Sequence, residues 1–207
     1  MGLTTESAHL FCTADPSSVL ENTAQAIRPQ MVAAGFEESP GAEDRVFVLV
    51  ASAHWISIYD TDSGALDVLA RSLSKALTAP VTILRLEDSD KYTARLCAAG
   101  RWVDKISGGV LKKKGTGKPD LWRGVLAPGS EADVARALQG QGTFAEEPLG
   151  HLCRALRLPR EAALQVADEI QAAPPAGAMT LRFRSLYPKA PLGPPRLTLV
   201  NRSHDPQ

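Results

Sequence analysis

Apolar residues recur along the chain in two rhythms, one suited to helices and one to strands. Ser7 to Ala14 reads as a first strand centred on Leu10 and Phe11. Asp15-Pro16 then marks a helix start, a capping side chain followed by proline at the first helical position. Val19, Thr23, Ile27 and Met31 fall at helical spacing, which predicts an amphipathic helix as far as Ala34, with Gly35 as its stop. Pro29 interrupts that pattern and predicts a kink or an early end. Glu37 to Asp44 is polar and reads as a turn region.

Val46-Phe47-Val48-Leu49-Val50 is a continuous apolar run, short and rich in β-branching, which predicts a strand buried on both faces. Trp55-Ile56-Ser57-Ile58-Tyr59 follows after a short turn, so the two strands form an antiparallel hairpin. Asp60 to Gly64 breaks the strand and caps a helix. Leu66, Leu69, Ala70, Leu73 and Leu77 then trace one helical stripe, with Arg71, Ser74 and Lys75 on the solvent side. Pro80 ends that helix and Val81 to Leu86 returns as a strand. Asp88 to Lys91 is a turn, Tyr92 to Cys97 a strand, and Arg101 to Ile106 its hairpin partner. The order β-α-β-β-α-β-β-β predicts an α+β fold, a mainly antiparallel sheet with helices on one face and a small helical C-terminal part.

The pattern changes after residue 107. Gly108 to Gly129 lacks periodicity and reads as a long basic loop. Ser130 starts a short helix through Leu138, with Glu131 and Asp133 placed where the helix dipole favours negative charge. Glu146 to Leu156 and Pro159 to Ile170 read as two further helices. Ala173 to Gly177 is a linker, Thr180 to Leu186 a half-buried strand, and Leu197 to Val200 a last candidate strand. Four prolines between 188 and 195 forbid regular pairing there, and residues 201–207 are expected to be a disordered tail. The division is a core domain (1–107), the basic loop (108–129), a helical segment packed on the core (130–172) and a Pro-rich arm (173–207).

Composition narrows the picture. The 207 residues are 44% hydrophobic and 22% charged, which excludes a disordered chain. Lys plus Arg equal Asp plus Glu at 23 each, so whole-protein charge gives no claim on nucleic acid or on an acidic membrane. No apolar run is long enough to cross a bilayer, and Met1 to Ala8 lacks the look of a secretory leader, so a cytoplasmic protein is expected. Cys12, Cys97 and Cys153 are far apart and form no CxxC, which predicts three reduced, packed thiols rather than zinc ligands.

Candidate chemistry is sparse. Asp60-x-Asp62 and Asp88-x-Asp90 each follow a strand, and carboxylates at the ends of neighbouring strands can converge on magnesium. The same residues suit helix caps and tight turns. His54 has the right intrinsic pKa for a general base but no partner nearby in sequence. No serine sits in a G-x-S-x-G turn. Lys112-Lys113-Lys114-Gly115-Thr116-Gly117-Lys118 resembles a phosphate loop only superficially, because Lys112 stands where the first glycine belongs and Pro119 follows Lys118. From Arg101 to Val125 there are seven Lys or Arg against two Asp, a local excess of five. That excess suits an acidic partner or simply a solvated loop. Trp55, Tyr59, Tyr92 and Trp102 on strands are core residues, or a binding surface if one face of the sheet is uncovered.

Trp55-x-Ser57-x-Tyr59-Asp60, Leu69-Ala70, Leu73-Ser74, Pro80-Val81, Asp88-Ser89-Asp90 and Gly100-x-x-Val103-Asp104 together resemble a group of bacterial small α+β proteins with no established activity. Leu156-x-Leu158-Pro159-x-Glu161-x-Ala163 is similar to a helical piece near their C-termini. The resemblance spans residues 45–170 and departs at the basic loop after Ile106. It implies a bacterial, intracellular α+β domain and carries over no catalytic residue.

Two functions are therefore expected. The first is a non-catalytic protein-binding module of immunity, adaptor or regulatory type, without a cofactor, using Lys112, Lys113, Lys114, Lys118 and Trp122 against another protein. The alternative is a magnesium-dependent enzyme on a phosphate-containing substrate, with Asp60, Asp62, Asp88 and Asp90 on the metal and the lysines drawing in the phosphate. Neither expectation involves a specific nucleic acid or a membrane, and the oligomeric state stays open.

Overall fold

The computed structural model describes residues 2–110, 115–139 and 143–187. Eight strands, β1 (Thr5–Phe11), β2 (Phe36–Glu38), β3 (Arg45–Ser52), β4 (Trp55–Asp60), β5 (Val81–Glu87), β6 (Lys91–Ala98), β7 (Arg101–Gly109) and β8 (Met179–Ser185), form one sheet. Their order is β2-β8-β3-β4-β1-β5-β6-β7, and every neighbouring pair is antiparallel. The helices are α1 (Pro16–Ala33), α2 (Leu66–Ala76), α3 (Glu131–Gln139), α4 (Glu146–Leu156), α5 (Arg160–Leu164) and α6 (Ala167–Ala172). The fold is α+β, as the alternation of periods predicts.

Local chemistry sets the element ends. Asp15 caps α1, its Oδ2 accepting from Ser18 N at 3.1 Å, and Gly35 (φ +83°) lies just past the end. Pro29 lies inside α1, which runs on to Ala33, so of the two expected outcomes the early end does not occur. A mid-helix proline costs about 3 kcal/mol. Ile27 and Met31, on either side of it, are both buried and each return about 1.5–3 kcal/mol. The β6–β7 hairpin turns through Ala99 and Gly100, both left-handed, as a two-residue loop requires.

Cross-strand register sorts the sheet into two faces. Ala8, Leu10, Phe47, Leu49, Ile56, Ile58, Val81, Ile83, Leu181 and Phe183 point to the first, where α1 and α2 cover them. Ser74 belongs to this buried side of α2 rather than to solvent, its Oγ accepting from Gly100 N at 3.1 Å. β8 is an internal strand between β2 and β3, and Phe183 meets Phe47 edge-on at 5.8 Å. The C-terminal strand of the described chain is thus part of the core, not of a separate arm.

The second face is covered too, by the C-terminal helical segment. Trp55, Leu84, Leu86, Tyr92, Leu96 and Ile106 meet Leu149, Leu152, Cys153, Leu156 and Leu158 from α4 and its C-terminal extension. The segment predicted as one helix from Pro159 to Ile170 is broken by extended backbone at Gln165 and Val166. The break places Ala163 in that core while Ile170 on α6 reaches Val46, Val48 and Tyr59. Trp55, Tyr59 and Tyr92 are therefore core residues, whereas Trp102 is partly buried against the first core with the Arg95 guanidinium 3.7 Å from its ring centroid. Trp55 Nε1 donates to the Leu156 carbonyl (2.8 Å), Tyr59 OH to Ala162 (2.9 Å) and Tyr92 OH to Ala137 (2.6 Å).

A polar row crosses the middle of this apolar face. Thr82, His9 and Ser57 are register partners on β5, β1 and β4. His9 is wholly buried, with Nε2 2.8 Å from Ser7 Oγ and Nδ1 3.0 Å from Ser57 Oγ. Thr82 Oγ1 is buried without a hydrogen-bond partner. A buried hydroxyl left unpaired costs about 1–3 kcal/mol. Thr82→Val keeps the shape and removes the hydroxyl. It is expected to raise stability by about 1 kcal/mol, read as a higher urea midpoint with an unchanged slope.

Candidate functional site

The four aspartates lie where their turns put them. Asp60 ends β4 opposite Phe47 and is buried. Its Oδ1 accepts from Arg45 Nε at 3.1 Å and from Asp62 N at 2.9 Å, and its Oδ2 from Arg45 Nη2 at 2.5 Å. The Arg45 guanidinium also lies 5.0 Å over the Phe47 ring and 3.6 Å from Asp62 Oδ2. Burial pushes the Asp60 carboxyl up, and this outweighs the opposing pull of Arg45. Both carboxylate oxygens are thus committed within the chain.

Asp88 and Ser89 occupy left-handed conformations (φ 51° and 57°) in the β5–β6 turn. Asp88 Oδ1 accepts from Gly2 N at 2.8 Å, and Asp88 N donates to Thr4 Oγ1 at 3.0 Å. Asp90 N closes the turn on the Glu87 carbonyl at 3.0 Å. The turn pins the start of β1 and, through Ser89 Oγ to Glu146 Oε1 (2.6 Å), the start of α4. β4 and β5 are not neighbours, because β1 runs between them. Two interstrand spacings, roughly 9.5 Å, separate the two strand ends, and the Arg85–Glu6 ion pair (2.5 Å) links the intervening strand to β5. Among the described residues no three His, Cys, Asp or Glu side chains are grouped to hold a metal ion.

Lys112, Lys113 and Lys114 lie outside the described residues. Lys118 is exposed beside them in sequence. Trp122 is wholly buried and its Nε1 donates to Asp104 Oδ2 at 2.8 Å, so its ring is not a surface for a partner. The same Asp104 oxygen accepts from Lys118 N at 2.8 Å. One carboxylate thereby fixes the 3-10 turn Pro119–Trp122 against β7.

That turn is one wall of a concavity. A groove of about 500 Å³ opens between it and α3, lined by Pro119, Leu126, Pro128, Val134, Ala135 and Leu138. The Arg123–Asp120 ion pair (2.6 Å) and Glu131 also line it. Ala127 N bonds the Ala155 carbonyl at 2.7 Å, and Gly115 N bonds the Leu138 carbonyl at 2.6 Å, so both walls are tied to the helical layer. Gly115 leaves no room for a side chain, since a Cβ would lie 2.7 Å from the Ser107 carbonyl. The groove falls within the usual size range of ligand sites and is mostly apolar with a few charges, the composition of a recognition site. Sequence reasoning passed over it: α3 offered its helical period, but Asp104 and Trp122 are joined by no local pattern.

Among the described residues the cysteines are buried, and His54 and His151 have side-chain partners. Cys12, Cys97 and Cys153 are free and buried. Burial pushes the Cys12 thiol up to about 11 and that of Cys153 up to about 12, which suppresses the thiolate. His54 Nε2 lies 3.3 Å from Arg157 Nη1. His151 Nδ1 is 3.0 Å from Asp133 Oδ1, and the hydrogen bond from His151 is the main reason the Asp133 carboxyl titrates below its ordinary range. Arg45→Met strands the Asp60 charge in the core, so a loss of about 3–5 kcal/mol is expected from urea denaturation. Arg45→Met combined with Asp60→Leu is expected to recover most of it. Comparison with family models, with curated proteins and with solved structures finds no match for this chain.

Proposed function

We propose that this protein is a non-catalytic protein-binding module, of immunity, adaptor or regulatory type, and that the groove between the Pro119–Trp122 turn and α3 receives an apolar element of its partner. The observation that carries this reading is the groove itself, open, mostly apolar and about 500 Å³ in volume. Apolar clefts with few polar groups favour burial of one or two large side chains, each worth about 1.5–3 kcal/mol. Lys118 and the Lys112–Lys114 run adjoin this segment in sequence and would add steering toward an acidic partner rather than most of the affinity. The buried thiols and the internally paired carboxylates support a binding role over a catalytic one.

Affinity capture of the tagged chain from lysate at moderate salt, followed by mass spectrometry, tests the proposal. One stoichiometric protein partner is expected. Ala135 lies on the exposed side of α3 and lines the groove. Ala135→Glu should leave the melting temperature within about 2 °C, because surface substitutions change stability little. It should reduce capture at least about tenfold, the effect of 1.4 kcal/mol. Charge reversal of Lys112, Lys113, Lys114 and Lys118 should weaken capture less and flatten its salt dependence. A blank with the wild-type chain, or capture indifferent to both variants, overturns the proposal.

A further inference from the structure

The second face of the sheet and the C-terminal helices meet at a joint with few polar anchors. Thr5 Oγ1 donates to the Ala163 carbonyl at 3.0 Å, beside the Tyr59 and Trp55 bonds to Ala162 and Leu156. His9 sits among these three anchors. It shares β1 with Thr5, and its register partner Ser57 lies between Trp55 and Tyr59 on β4. The ring is fully buried, and both nitrogens are taken by serine hydroxyls.

A neutral imidazole has one N–H, so one serine donates to the ring and the other accepts from it. A protonated ring has two donors and a full charge, for which a buried site must supply a counter-charge or water. The elements packed on this face carry Glu131, Asp133 and Arg136 on α3, Glu146, Glu147, His151 and Arg154 on α4, Arg160 and Glu161 on α5, and Asp168 and Glu169 on α6, with Arg157 after α4. Asp60 on β4, with Glu6 and Arg85 in the register row beside it, belongs to the opposite face. None of them bonds to the imidazole. Burial is the one cause that acts on its titration, and it lowers the pKa to about 3.

We propose that His9 makes this joint acid-labile, its protonation releasing the α4–α6 layer from the sheet while α1 and α2 stay docked on the other face. The asymmetry follows from the two cores. The buried carboxylate of the first face, Asp60, is bonded to Arg45, whereas the second face holds the imidazole beneath its helical cover with only serine hydroxyls bonded to it. Release hydrates the ring and restores its ordinary affinity for a proton. The sign is fixed: the open form binds the proton better, so opening is favoured as pH falls below about 6.5 and saturates near 3.

The three cysteines report on the two faces separately. Cys153 is packed in the second core. Cys12 belongs to the first core, and Cys97 pairs in register with Val81 on that side. The full-length chain is labelled with a dithiodipyridine, which reacts with thiols in acid, at pH 7 and pH 4.5. Labelling of each cysteine is read by peptide mass spectrometry and normalised to the urea-unfolded chain at the same pH. Modification of Cys153 is expected to accelerate roughly a hundredfold at pH 4.5, the ratio that a shift from 6.5 to about 3 implies, with Cys12 and Cys97 still protected. In His9→Gln, which keeps a neutral hydrogen-bonding side chain, the acceleration should vanish. Protection of Cys153 at pH 4.5, simultaneous opening of all three thiols, or acid opening that survives in a folded His9→Gln chain would each overturn the proposal. If His9→Gln does not fold, the order in which the wild-type thiols open decides.

Discussion

Both faces of the eight-stranded sheet are apolar across its centre, and both must therefore be covered. A sheet with one wet face alternates apolar and polar residues along each strand. β3 and β4 do not alternate: Val46 to Leu49 and Trp55 to Tyr59 are all buried. One pair of helices, α1 and α2, closes the first face. The second is closed only because the chain returns after β7 and lays α3 to α6 across it. Residues 131–172 are accordingly a structural layer of the same core, and β8 then completes the sheet between β2 and β3.

The polar residues of the second face make that layer specific in position. Apolar contact is non-directional and would tolerate sliding of the helices. Thr5, Trp55, Tyr59 and Tyr92 each donate to one particular carbonyl of the cover, which sets its register. His9 shares this surface, and its cost differs from theirs. A hydroxyl or an indole is satisfied by one bond, whereas an imidazole is satisfied only in its neutral form.

The charged residues that invite a metal reading are absorbed by the same architecture. Asp60 is buried because β4 is buried to its last residue, and Arg45 on the adjacent strand meets it there. Asp88 holds the start of β1 to the β5–β6 turn. The groove against α3 has the opposite origin. It is a space left where the Pro119–Trp122 turn, tied to β7 through Asp104, stands off from a helix that packs on the sheet.

The chain's own pattern determined the α+β class, both hairpins, the α1, α2 and α4 spans and the turn at Asp88, because each rests on contacts between residues close in sequence. Periodicity and capping act over one or two turns, and a hairpin needs only its loop. Tertiary structure decided the rest. The three residues of β2 are too few to show a period, and become a strand only because β8 supplies hydrogen bonds. The placement of β1 between β4 and β5 separated Asp60 from Asp88, which no spacing along the chain could reveal. Ser74 and Trp122 looked exposed from their local context and are buried by partners 26 and 18 residues away. Pro29 looked like a break and is carried through by burial on both sides of it. In each case a long-range contact outweighed a local preference worth about 1–3 kcal/mol, since the burial that opposes it is of equal or greater size.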